Sequence, residues 1–267
     1  MKFRTPSLPK VLTVGLGLFA TKGLALAHFL VLLPDSDVKE HSRQIHLWTE
    51  FTHPAEGGPT MHYQIEKSGA FIGGKIYPLH WKKKYVPALP GSNIKVEKYE
   101  TTFTVFRPGV YQFFVEQKPY FEPAEEQFIQ QIAKVYVDTF GLEEGWQQPI
   151  GLKVEIVPLT RPFGLWEGNT FKGQVLIDGK PAPNVRVEIE YYNDKHVKYP
   201  NDTLITQVVK TDSNGYFVYT IPWSGWWGFS AITDGGTYKN PQDGKEYPLE
   251  LDAVLWIYAY PKPKGVN

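Results

Sequence analysis

Glycine and proline punctuate this chain throughout: its 267 residues include 24 glycines and 22 prolines. Between the interruptions lie short runs rich in aromatic and β-branched residues. Residues 44–51, 61–66, 101–106 and 109–117 alternate apolar with polar side chains or are dense in aromatics, and turn formers bound them. A strand presents every second side chain to one face, so runs of this kind bury their apolar positions between stacked sheets. The expected fold class is therefore mainly all-β.

One segment breaks the pattern. Pro123 suits a first helical position, Glu125 and Glu126 suit the positive end of a helix dipole, and Phe128, Ile132, Val135 and Tyr136 recur at helical spacing until Gly141. A single helix is expected there, inserted in the first sandwich and covering one sheet. Residues 152–162 then read as a last strand with a proline-rich exit, after which the punctuation restarts. Strands at 170–177 and 184–192 flank an Asp178-Gly179 turn, the Asp212-Ser213-Asn214-Gly215 turn joins 206–211 to 216–221, and 254–260 closes the series. These boundaries predict two β-sandwich domains, residues 28–162 and 163–267. The second resembles transthyretin-like and carboxypeptidase-regulatory-like domains of Ig-like architecture, a likeness of fold that licenses no activity.

Residues 1–27 read as a secretory signal peptide. Lys2, Arg4 and Lys10 supply the positive region, residues 11–20 an apolar stretch too short to span a bilayer, and Ala25-Leu26-Ala27 the small residues before a cleavage point. Cleavage after Ala27 makes His28 the first residue of a soluble periplasmic protein; cleavage after Ala25 places Leu26 first instead. Equal numbers of basic and acidic residues, 28 of each, provide no electrostatic footprint for nucleic acid, and Lys82-Lys83-Lys84 reads as a solvated edge. With no cysteine, the chain has no disulfide, zinc-thiolate site, thiol nucleophile or lipid-anchoring cysteine.

Histidine supplies the remaining chemistry, and six of the seven fall at positions 28, 41, 46, 53, 62 and 80, leaving only His196 for the second half. A site formed by them belongs to the first domain. Imidazole and amine nitrogens suit nickel, cobalt, copper or zinc, whereas calcium and magnesium prefer oxygen. An N-terminal His28 would chelate through both its ring and its amine, which titrates near pH ~8 and so loses its proton at little cost. His53 precedes Pro54 in a segment whose proline and glycines hold a projecting loop, either to present a ligand or simply as a turn. His62 follows nine residues later, and a hairpin return would bring it back toward His53. His46 alternates with Ile45 and Leu47, so it faces away from them, as an outer partner of the site or as exposed surface. Glu56 offers an oxygen ligand or an orienting partner for a histidine, or else an ordinary acidic loop residue. His41 and His80 read as surface residues. Trp226-Trp227 offers a sugar platform or, beside its glycines, interior packing, which is the expectation.

Four segments carry a family resemblance: Ala27-His28-Phe29, Phe51-Thr52-His53-Pro54, Glu155-Ile156-Val157-Pro158-Leu159, and Pro222-Trp223-Ser224-Gly225-Trp226-Trp227-Gly228-Phe229. Together they resemble the DUF4198 family across essentially the whole mature chain. The resemblance implies a periplasmic protein of a nickel or cobalt uptake system, NikK-like, associated with energy-coupling-factor transporters. It implies Ni2+ as cargo (Co2+, Cu2+ and Zn2+ being alternatives), inner-membrane transporter components as partners, and no enzymatic activity. His28 and His53 correspond to its metal-site features, and His62 joins them by proximity alone. Two other classes stay open. A copper protein of the lytic polysaccharide monooxygenase type also exposes an N-terminal histidine on a β-sandwich, and a carbohydrate-binding or adhesin-like sandwich would carry its histidines incidentally.

Overall fold

The computed structural model describes residues 28–265, so the expected signal peptide lies outside the described residues. Among the described residues the only helical element is a 3-10 turn at Asp202–Leu204. No helix there is long and apolar enough to cross a membrane.

Three sheets build the described residues. The first orders its strands Phe29–Pro34, Gln44–Thr52, Lys95–Thr104 and Lys82–Pro87, with Thr60–Met61 beside Gln44–Thr52. The lysine run forms its exposed edge, where charge discourages pairing with another chain. The third sheet centres on Thr170–Ile177, flanked by Val154–Pro158 and Tyr216–Thr220. Between these two lies a large central sheet, whose middle strands are Gly225–Lys239, Glu246–Tyr260, Gln127–Thr139 and Gly109–Gln117.

The expected helix is a strand of that central sheet. Gln127–Thr139 pairs antiparallel with Gly109–Gln117 and parallel with Glu246–Tyr260. Its alternate residues Ala133, Val135 and Val137 enter the core under the first sheet, while Ile132 and Tyr136 enter the core under the third. Burial on both faces takes in nearly every position after Gln127, and the apolar set that reads at helical spacing is a subset of those buried residues. The acidic residues before it form a hairpin instead of a helix start. Glu122 stands opposite Gln127, the Glu125 N–H donates to the Glu122 carbonyl, and Glu126 takes a positive φ of 53°.

The parallel contact of Gln127–Thr139 with Glu246–Tyr260 carries the central sheet across residue 162, so strands from both expected domains share it. The two cores it separates remain distinct. Alternation also explains both aromatic pairs. Tyr191 and Trp227 enter the core under the third sheet, whereas Tyr192 and Trp226 pack against the core under the first. Trp227 is thus interior, as its glycine neighbours suggested.

Buried polar groups along Gln127–Thr139 have named partners. Lys134 Nζ lies 2.6 Å from Glu155 Oε1, and the same carboxylate accepts the N–H groups of Ile150 at 2.9 Å and Gly151 at 3.0 Å. Burial alone would depress the Lys134 ammonium, but Tyr136 and Glu155 hold it above its ordinary value. Burial alone would raise the Glu155 carboxyl, but Lys134 and the backbone donors bring it below the usual carboxylate range.

Candidate metal centre

His28 stands one residue before the strand Phe29–Pro34, whose register with Gln44–Thr52 pairs Phe29 with Thr52. One further step sets His28 opposite His53. Their ring centroids lie 4.5 Å apart, tilted by 49°. The pair is sheltered: the His28 side chain is 13% exposed and His53 is buried. Phe51 stacks at 5.6 Å from the His28 ring, and Tyr120 stands at 6.2 Å.

Two polar side chains distant in sequence fix this corner. Gln131, on the central sheet, presents its amide as a neighbouring strand would, accepting the Leu30 N–H at 2.6 Å and donating to the His28 carbonyl at 2.7 Å. Its nitrogen also reaches Asp252 Oδ2 at 3.0 Å. Glu122 Oε2 lies 3.2 Å from His28 Nε2, while its Oε1 accepts the Ala124 N–H at 3.0 Å.

The loop after His53 is anchored from the C-terminal half. The Ala55 N–H donates to Glu190 Oε2 at 3.3 Å, and Asn193 donates to the carbonyls of Pro54 and Ala55. Burial pushes the Glu190 carboxyl up to about 7. Burial, and then the neighbouring His53, bring the His28 ring down to about 4, although Glu122 pulls the other way. At neutral pH the His28 ring is uncharged, the form in which imidazole binds a metal.

The other expected candidates are distributed elsewhere. The hairpin return pairs Phe51 with Met61 and Thr52 with Thr60, which continues to Pro59 opposite His53 and His62 opposite Glu50. The His62 side chain is 62% exposed, its Nδ1 2.7 Å from Glu97 Oε2. His46 is exposed, with its Nδ1 2.9 Å from Thr102 Oγ1. Glu56 is exposed in the loop. The geometry therefore brings together His28 and His53, and adds Glu122, which the sequence reading had not singled out. Among the described residues no group of three or more His, Asp and Glu side chains is arranged to hold a metal.

A family model described as "Domain of unknown function (DUF4198)" matches residues 25–235. No curated protein sequence matches. Similarities to solved structures are remote. The Yersinia pseudotuberculosis adhesin InvE is 12% identical with a TM-score of 0.23, the match covering 85% of this chain and 58% of that one. The D00-D0 domain of intimin is 13% identical with a TM-score of 0.23, over 87% of this chain and 100% of that one. A Salmonella alpha-2-macroglobulin is 11% identical with a TM-score of 0.25, over 87% of this chain and 15% of that one. Likeness at this level carries no argument about what the chain does.

Proposed function

The chain belongs to the DUF4198 family, and from that premise we propose that it is a periplasmic binding protein for a divalent transition metal. Nickel is the first candidate cargo and cobalt the second, for delivery to an inner-membrane uptake transporter. The observation that carries the reading is the His28–His53 pair, two sheltered rings 4.5 Å apart across a strand register. Two imidazoles are too few to hold such an ion tightly. Cleavage after Ala27 would supply a third nitrogen, the His28 amine, on the residue already in place. Amine, His28 ring and His53 ring then form a nitrogen-rich set of borderline donors suited to nickel or cobalt.

The same donors suit copper, which binds nitrogen sites more tightly than nickel does. A copper oxidase acting on a polysaccharide needs its metal on an open face, whereas the His28 ring is 13% exposed between Phe51 and Tyr120. Shelter of this kind suits capture and handover.

The test is to determine the mature N-terminus by intact mass and to titrate that protein with nickel beside a form extended by one residue before His28. The mature form is expected to bind more tightly than the extended form. Equal affinity would reject the amine chelate, and no binding by either would reject the metal reading.

A further inference from the structure

The contact between Glu122 and His28 is specific to one ring nitrogen, and this determines which nitrogen is left for a ligand. A neutral imidazole has one proton to place. A carboxylate oxygen 3.2 Å from Nε2 favours the proton on that nitrogen, which leaves the lone pair on Nδ1. From Nδ1 the path through Cγ, Cβ and Cα returns to the residue's own nitrogen, so a metal held by both closes a six-membered chelate. Nε2 points away from that nitrogen and cannot close one. We infer that Glu122 is the positioning residue of His28, holding the ring in the Nε2–H tautomer and so presenting Nδ1 to a metal.

The carboxylate is itself held. Its second oxygen accepts the Ala124 N–H, and its strand, Tyr120–Glu122, pairs with the start of Gln127–Thr139. Four residues further along that strand Gln131 grips the His28 carbonyl, so ring and backbone of His28 are both aligned from one hairpin. The arrangement matches the way metal-bound histidines donate their second N–H to a carboxylate, which fixes the ring and strengthens its basicity. Glu56 and Glu97, nearer in sequence, do not take this part: Glu56 is exposed in its loop, and Glu97 serves His62.

The inference rests on the metal reading only for its consequence, because the tautomer is measurable without metal. Long-range nitrogen–proton NMR of 15N-histidine-labelled, metal-free mature protein reports which His28 nitrogen is protonated. Wild type is expected to show Nε2–H alone, and Glu122→Ala a mixture of tautomers with nickel affinity reduced roughly 10–100-fold. Glu122→Gln, which keeps an acceptor of similar shape, is expected to fall between them and guards against simple misfolding of the alanine variant. An Nδ1–H ring in wild type, or an unchanged tautomer and affinity in Glu122→Ala, would overturn the assignment. If wild type binds no nickel yet shows the Nε2–H tautomer that Glu122→Ala loses, the metal reading fails and the positioning of the ring by Glu122 stands.

Discussion

Gln127–Thr139 carries two buried polar side chains three residues apart that face opposite cores. Lys134 meets a carboxylate that is otherwise filled by backbone donors, so the ion pair with Glu155 is closed within the protein. Gln131 faces the other way and aligns His28, whose ring lies beside a carboxylate and a second histidine. One buried polar cluster is complete and holds the sheets together. The other holds an uncharged imidazole, sheltered but beside groups that do not close an ion pair around it.

The sharpest way to break this comparison is to open the closed pair. Lys134→Met leaves Glu155 without its cation and is expected to cost about 3–5 kcal/mol, a fall in Tm on the order of 10 °C. Adding Glu155→Leu should recover most of that loss, since a buried pair exchanged for apolar residues is often near neutral. Thermal denaturation measures both; a single variant melting with wild type would mean the pair is not closed in solution.

Next in size are two opposed pH effects at the histidine corner of the metal-free protein. The His28 ring is brought from 6.5 to about 4 in the fold, so the unfolded chain takes up its proton first and stability falls as pH drops from 6.5 to 4. The Glu190 carboxyl is raised from 4.5 to about 7, so the unfolded chain releases its proton first and stability falls as pH rises from 4.5 to 7. Each effect is on the order of 3 kcal/mol, and they offset each other where the windows overlap. Glu190→Gln is expected to lose stability on acidification across that overlap, and His28→Phe on alkalinisation. Urea midpoints at both ends of the window check this; slopes of the same sign would show that the two groups do not share the corner as described.

Smallest is Gln131→Leu, which leaves the buried Leu30 N–H without its acceptor and is expected to cost about 1–3 kcal/mol. The comparison is sharpened if this change also weakens nickel binding while Lys134→Met does not, as paired calorimetric titrations would read.

What could be read in advance followed the range of the interactions. The strands at 44–51, 109–117, 170–177 and 216–221 stood out because their turns and alternation are local, and the structure carries a strand at each. Gln127–Thr139 did not, since burial on two faces erases the period of two by which a strand is recognised. His28 and His53 each carried a local mark, the leader boundary and the His-Pro turn, and the register then made them neighbours. Glu122 and Gln131 carried none: their roles depend on a hairpin misread as a helix and on a sheet that reaches the far end of the chain. The mirrored flanks of that hairpin, Tyr120-Phe121-Glu122 and Gln127-Phe128-Ile129, are the signal that would have revealed it.

That long-range sheet also sets an order of assembly. Trp256 Nε1 donates to the Leu30 carbonyl across 226 residues of sequence, and Glu190 and Asn193 hold the loop after His53 from the other half of the molecule. Contacts between such distant residues form late, because the loop between them must close before they stabilise anything. A chain made from its N-terminus therefore carries both histidines long before these anchors exist. The pairing of Phe29–Pro34 with Gln44–Thr52 can bring the two rings opposite each other early, but the anchors from Gln131 and Glu190 that hold the corner come only with later strands.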